Sequence, residues 1–106
     1  MALTGKQKRV LRSIGQLLEP VVFIGKEGIT EASVAATEET FNTRELIKVR
    51  ALKNVPGETD DVAAELAEAT HSDVAGRVGH TFLLYRPNPS LKERIALPPA
   101  KEARGE

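Results

Sequence analysis

The segment PVVFIGKEGIT, residues 20–30, decides the fold because it joins an apolar run to the start of a helix through two glycines. Residues 21–24 are continuous, apolar and rich in β-branched side chains, which predicts a short strand buried on both faces. Thr30 can cap the following helix, which we expect to run to about Asn42. A strand, a helix and a further strand of one sheet form a right-handed parallel crossover. The segment therefore predicts an α/β fold.

The flanking segments supply a helix and a second strand. Residues 4–18 place apolar side chains, Leu17 among them, on one side of a helix that a Glu-Pro pair ends. Residues 45–52 alternate, with Lys48 and Arg50 pointing away from the apolar side chains between them. A basic face on an otherwise apolar strand is the result.

A third helix and a hairpin follow. We expect Thr59 to cap a helix with an apolar line through Val62 and Leu66. Residues 73–78 and 81–85 predict two antiparallel strands joined by a tight turn. The order α-β-α-β-α-β-β predicts a single compact layer, an about four-stranded mixed sheet packed on helices.

The composition is typical of one globular domain, with 106 residues that are 41% hydrophobic and 28% charged. We expect this domain over residues 1–97 and a disordered tail at 98–106, which has no core-forming residues. No apolar run approaches the roughly 18 residues of a membrane span, and the basic N-terminus has no secretory apolar region behind it. A cytoplasmic protein without a membrane partner is expected.

The sequence lacks the residue patterns that are typical of catalytic and metal-binding sites. There is no cysteine, which excludes disulfides, thiolate metal sites and cysteine nucleophiles. The two histidines, His71 and His80, stand at a helix end and in a tight turn, as polar loop residues commonly do. The acids of the third helix are spaced for one solvated face. We therefore expect no enzyme, no metal, no cofactor and no small-molecule substrate.

The charges are unevenly distributed, although the formal net charge is zero. Residues 58–73 carry six acidic side chains and no basic one, so the rest of the chain holds fifteen bases against nine acids. A segregation of this kind can place a basic face on a neutral protein.

The four residues Gly25, Lys26, Glu27 and Gly28 form a candidate binding loop, called the GxxG loop below. A strand-to-helix turn points free N–H groups and the positive end of the helix dipole outward, where they can bind an anion. Glycine lets the backbone approach a ligand, and a lysine suits a phosphate. Two glycines placed for conformational reasons alone would give the same pattern, so the loop by itself leaves both interpretations open.

Basic side chains in other segments favour a nucleic-acid partner. They lie on the first helix, around the second strand and at the end of the last strand. The candidates for RNA contact are Lys6, Lys8, Arg9, Arg12, Arg44, Lys48, Arg50 and Arg86. With an acidic run on the third helix and no base in it, this set suits recognition of a nucleic-acid backbone. The few aromatic residues are mostly expected in the core, which favours reading of shape and phosphates in structured RNA over unstacked bases.

Four segments together resemble a known family. They are LTGKQKRVL at 3–11, the opening segment at 20–30, ELIKV at 45–49 and LLYRP at 83–87. In this order and spacing they are similar to a stand-alone CRM domain of the YhbY-like RNA-binding family, which also occurs repeated in plant organellar splicing factors. The resemblance covers residues 3 to about 97.

The resemblance implies a fold similar to the C-terminal domain of bacterial translation initiation factor three, with a KH-like glycine loop. It also implies that the GxxG loop contacts RNA and that single-domain bacterial members associate with precursors of the large ribosomal subunit. One departure concerns Glu27, where family loops commonly carry a neutral polar residue. A carboxylate there would repel a phosphate unless it turns away or pairs with a base.

The leading hypothesis is a non-enzymatic protein that binds ribosomal RNA during large-subunit assembly. The alternative is a protein-interaction or phosphometabolite-binding regulatory module that uses the acidic face of the third helix or the start of the second. Copurifying nucleic acid and heparin binding would separate the two. The sequence leaves open which RNA element is bound and the oligomeric state.

Overall fold

Within the part of the chain that the structure describes, three helices and four strands follow one another in the predicted order. The computed structural model describes residues 3–92 and 94–99. The elements are α1 (Gly5–Gly15), β1 (Pro20–Ile24), α2 (Glu31–Phe41), β2 (Leu46–Ala51), α3 (Thr59–Thr70), β3 (Asp73–Val78) and β4 (Thr81–Tyr85). The predicted α/β class is confirmed. Of the tail predicted as disordered, all but Pro98 and Pro99 lies outside the described residues.

The four strands form one mixed sheet in the order β1-β2-β4-β3. β1 and β2 are parallel, as the crossover through α2 requires, and the other two pairs are antiparallel. β1 and β3 are therefore the edge strands. The ends of β1 and β2 meet, with Ile24 opposite Ala51, so the GxxG loop leaves the sheet beside the end of β2.

Each face of the sheet has its own apolar core. Helices α2 and α3 cover one face, where Phe41 and Leu66 pack on Ile47, Val49 and further strand residues. Helix α1 covers part of the other face, called the α1 face below, with Leu11 packed on residues that include Leu46, Leu83 and Tyr85. Lys48 and Arg50 alternate with Ile47 and Val49 and so lie on the α1 face, as predicted.

Helix α1 is shorter than its apolar pattern indicates. Thr4 caps it in a capping box with Gln7, and the helix ends at Gly15, before the Glu-Pro pair predicted to stop it. A Cβ on Gly15 would lie 2.5 Å from Leu83 Cδ1, so a glycine is what lets the helix end approach β4 closely. Since the helical phase stops there, Leu17 is 87% exposed, and its predicted core position is wrong.

Two further local expectations are wrong. Glu58, not Thr59, is the N-cap of α3, without a side-chain cap hydrogen bond, and Thr59 Oγ1 lies 3.3 Å from His80 Nδ1. β1 is not buried on both faces: Val22 and Ile24 are in the core, but Val21 and Phe23 are exposed. The physical reason is that β1 is an edge strand on a face for which only one helix, α1, is available.

A buried carboxylate fixes the segment after β4. Glu45 is 2% exposed and accepts hydrogen bonds from the amides of Asn88 and Ile95 and from Arg94 Nε, at 2.7–2.9 Å. Burial raises the pKa of Glu45, but the two amides and Arg94 lower it more, and the balance lies below the usual value. Gln7 Nε2 adds a 2.8 Å hydrogen bond to Pro98 O. Residues 86–92 and 94–98 are thereby tied to the sheet and α1.

Candidate nucleic-acid interface

The GxxG loop is a tight turn in which the two glycines have different reasons to be there. The Gly28 amide donates to Gly25 O at 2.9 Å, which closes the turn. Gly28 has φ +69°, a left-handed conformation that favours glycine. Gly25 has no positive φ, and a Cβ there would meet only Leu52 Cδ1, at an ordinary 3.8 Å. The fold needs glycine at 28 but not at 25, where its effect is a bare backbone.

The start of α2 follows directly and is built as predicted. Thr30 Oγ1 accepts from the Ser33 amide at 3.1 Å, and Ser33 Oγ accepts from the Thr30 amide at 2.8 Å. This capping box leaves the amides of Glu31 and Ala32 without an intrahelical acceptor at the positive end of the helix dipole. Those two amides and the Lys26 ammonium can therefore bind an anion.

The carboxylates at this end oppose such binding. Glu31 stands in the first turn of α2, and Glu27 is exposed. Glu27 has no ion pair with any residue that the structure describes, so the pairing considered for it from the sequence is not formed. Like charge at about 4 Å in water costs on the order of 1 kcal/mol, which a loop phosphate would have to overcome or avoid.

Two concavities of about 430 Å³ each lie around β1 and β2. The first, the loop groove, runs between the GxxG loop, the edge of β1 and the start of α2. Its lining includes Val21, Phe23, Lys26, Gly28, Thr30 and Ser33. The second, the basic cleft, lies on the α1 face where helix α1 ends. Its lining includes Arg12, Lys48, Arg50, Gly76, Thr81 and Leu83.

Gly76 on β3 seats the Arg12 side chain over the sheet. A Cβ at Gly76 would lie 2.7 Å from Arg12 Cγ and Cδ, too close for both to remain in place. The sequence pattern did not identify this role, because a glycine in a strand has the same signature whether it marks a bulge or a close approach. This close approach brings Arg12 of α1 to the same cleft as Lys48 and Arg50.

The predicted RNA-contacting residues fall into three groups. Lys26, Arg12, Lys48 and Arg50 line the two concavities. Lys6, Lys8 and Arg9 continue along α1 from Arg12. Arg44 and Arg86 lie at the opposite end of β2 and β4, roughly 20 Å from the loop at about 3.3 Å per strand residue. The structure thus brings the first group together and leaves the third apart.

Arg86 is already engaged within the fold. Its Nη1 donates to Glu38 Oε1 at 2.9 Å and to Thr70 O at 2.7 Å. The guanidinium carbon also lies 4.6 Å from the centre of the Phe41 ring. In contrast, none of Lys26, Arg12, Lys48 and Arg50 forms an ion pair within the described part of the chain.

The sheet separates the acids from these cations. Helix α3, which carries the acidic run, packs on the face opposite the α1 face. One of its acids, Asp60, pairs with Arg77 on β3. The acidic run of α3 and the cations of the basic cleft thus lie on opposite faces of the sheet, which a net charge of zero conceals.

Comparison with known proteins agrees with this geometry. The family model of the CRS1 / YhbY (CRM) domain matches residues 3–86. The chain belongs to this family. The resemblance drawn from the four sequence segments is therefore confirmed, and the match spans α1 to the end of β4.

Relatives of this CRM domain chain are named as RNA-binding proteins. It is 38% identical over 96 residues to "Probable RNA-binding protein YqeI" of Bacillus subtilis, a match that covers 91% of this chain and 99% of that one. It is 35% identical over 94 residues to an "RNA-binding protein" of Haemophilus influenzae, covering 88% and 94%. These names point to RNA binding rather than to enzymatic activity.

A solved structure has the same fold. The solution structure of hypothetical protein SAV1595 from Staphylococcus aureus is 39% identical, with a TM-score of 0.79 over 92% of this chain and 100% of that one.

Within residues 3–92 and 94–99, no group of three or more His, Asp or Glu side chains could hold a metal ion. No helix in the same ranges is long and apolar enough to cross a membrane.

Proposed function

We propose that the chain is a non-enzymatic RNA-binding protein that contacts ribosomal RNA during assembly of the large ribosomal subunit in the cytoplasm. The observation that carries the RNA part is a cluster of four cations around the loop groove and basic cleft, Lys26, Arg12, Lys48 and Arg50, none of which pairs with a carboxylate of the described residues. A polyanion supplies the charges that such a cluster lacks.

The loop groove and the basic cleft would bind different phosphates of the RNA. The GxxG loop and the start of α2 offer amides and one ammonium to a single phosphate. Along the α1 face, Lys48 and Arg50 are two residues apart on β2 and point the same way, so they can contact successive phosphates of one strand. Lys8 and Arg9 add further cations along α1. Arg86 is left out of the proposed site because its Nη1 group donates to Glu38 and Thr70 within the fold.

The ribosomal part of the proposal rests on the resemblance to single-domain bacterial CRM proteins. Sucrose-gradient sedimentation of a lysate, followed by ultraviolet crosslinking and peptide mapping, tests partner and site together. We expect the chain to sediment with precursors of the large subunit and to crosslink through 25–28 and 48–50.

The matched variant for this experiment is Lys48→Ala/Arg50→Ala, with Lys92→Ala as the control. Lys92 is an exposed lysine outside both concavities. The double variant should no longer sediment with the large-subunit precursors, whereas the control should still do so. Crosslinks to some other RNA would reject the ribosomal assignment, whereas a chain that binds no RNA would reject the whole proposal.

A further inference from the structure

Phe23 is the aromatic residue that the fold leaves in solvent. The chain has three phenylalanines, one tyrosine and no tryptophan. Phe41, Phe82 and Tyr85 are at most 3% exposed, whereas Phe23 is 54% exposed. Its neighbours Val22 and Ile24 turn into the core under α2 and α3, so the Phe23 ring lies on the α1 face, beyond the cover of helix α1.

The ring stands between the loop groove and the basic cleft. Phe23 lines the loop groove, three residues before Lys26. Its register partner on β2 is Arg50, which lines the basic cleft, and paired residues of neighbouring strands are about 4.8 Å apart. An exposed apolar ring is thus flanked by cations on both sides, with Lys48 two residues from Arg50 on the same face.

We propose that Phe23 stacks an unpaired base of single-stranded RNA whose adjoining phosphates are bound by Lys26 and Arg50. The inference rests on the RNA-binding function proposed above and names the form of RNA that this site takes. A ring with cations on either side complements a nucleotide, which is an apolar face between two anionic links. The bases of a duplex are stacked on each other and cannot offer that face, so a loop, bulge or single strand is required.

This assignment differs from what the sequence indicated. Because the strand was expected to be buried on both faces, Phe23 fell among the aromatic residues expected in the core, and the aromatic set favoured reading of shape and phosphates in structured RNA over unstacked bases. The exposed ring restores a stacking platform. An edge ring that packed on another protein would need an apolar partner surface, and the flanking cations favour a polyanion instead.

Binding of a labelled oligouridine of about ten nucleotides, compared with a blunt RNA duplex of similar length, tests the role of the ring. Phe23→Leu keeps an apolar side chain but removes the aromatic face. We expect it to weaken oligouridine binding about 5- to 100-fold, with duplex binding unchanged. Because stacking involves no counterion release, the salt dependence of oligouridine binding should stay as in the wild type.

Fluorescence gives a second readout that does not depend on affinity. Since the chain has no tryptophan, Phe23→Trp introduces a single reporter at the proposed site. Oligouridine should quench its emission. Ala64→Trp, at an exposed position of α3, is the matched control and should not respond.

The outcomes separate this inference from the proposed function. Wild-type oligouridine affinity in Phe23→Leu, equal losses for oligouridine and duplex, or an unquenched Phe23→Trp would each overturn the stacking assignment while salt-dependent RNA binding stands. The stacking assignment would also be overturned if Phe23→Leu lost self-association or binding to another protein but kept its RNA binding. If the wild-type chain binds neither RNA, both proposals fall.

Discussion

Gly25 and Gly28 occupy equivalent places in the GxxG pattern but not in the structure. Gly28 adopts a left-handed conformation, while Gly25 has ordinary space for a Cβ. The sequence left open whether the loop was a turn or a ligand site. The geometry assigns the turn to Gly28 and leaves Gly25 without a conformational reason. The proposed function gives Gly25 a role, the close approach of a phosphate to its bare backbone.

The two glycines should therefore respond differently to alanine. Gly28→Ala should cost roughly 1–2 kcal/mol of folding free energy, because a Cβ is strained at positive φ. Gly25→Ala should change stability by less than about 0.5 kcal/mol but weaken RNA binding about tenfold, since its methyl group holds a phosphate away from the loop amides.

Urea unfolding and fluorescence anisotropy with a labelled RNA check the two effects separately. A Gly25→Ala variant with wild-type affinity would mean that the loop is only a turn. A loss of stability in Gly25→Ala equal to that in Gly28→Ala would contradict the assignment of the conformational role to Gly28.

At the scale of elements, Glu45 shows how one residue fixes a segment without secondary structure. The sequence placed Glu45 as the first residue of an alternating strand, but β2 begins at Leu46 and the buried Glu45 side chain binds Asn88, Arg94 and Ile95. No local sequence pattern predicts these hydrogen bonds of Glu45, because its partners are more than forty residues away. Ile95 and Leu97 then pack on the core of the α1 face.

Glu45→Gln should destabilise the fold by about 1–3 kcal/mol at neutral pH, since a neutral amide replaces an acceptor shared by two amides and a guanidinium. The pKa of Glu45 is lowered in the folded state, so its contribution is fully present above the usual carboxyl value of 4.5 and is lost as the pH falls through the folded pKa. The difference between wild type and variant should therefore shrink below about pH 4.5.

Urea unfolding of both chains from pH 7 down to acid measures that difference, in which the titration of the other carboxylates cancels. Glu38→Gln is the matched control, because the Glu38 carboxylate is 42% exposed and its pair with Arg86 should contribute at most about 1 kcal/mol. A loss in Glu45→Gln no larger than in the control, or one independent of pH, would contradict the role given to Glu45.

For the whole molecule, the sequence was sufficient for the element order, the parallel pairing of β1 with β2 and the basic face of β2. It was insufficient for which part of the α1 face stays open. A helix is about 10 Å wide and strands are about 4.8 Å apart, so α1 alone cannot cover all four strands. Its contacts lie on β2, β4 and β3 and leave β1 open, and they depend on where α1 ends and on the close approaches at Gly15 and Gly76, which involve residues distant in sequence.

In the proposed function, RNA binds to this open part of the α1 face and to the adjoining loop groove. Four cations that form no ion pair with the described residues lie around it: Lys26, Arg12, Lys48 and Arg50. The acids of α3 lie behind the sheet, and Phe23 stands at its edge. The candidates that the sequence added at Arg44 and Arg86 could not be separated from this set by charge alone. Only the strand directions and the internal partners of Arg86 place them elsewhere.

The most direct test of the central claim, RNA binding through this cation cluster, is the slope of log affinity against log salt for the wild-type chain and Lys26→Ala. If Lys26, Arg12, Lys48 and Arg50 each bind a phosphate, the wild-type slope should be about −3, and that of Lys26→Ala shallower by about 0.7–0.9. Lys92→Ala should retain the wild-type slope. A wild-type affinity that does not change with salt, or a Lys26→Ala slope equal to that of the wild type, would contradict the account.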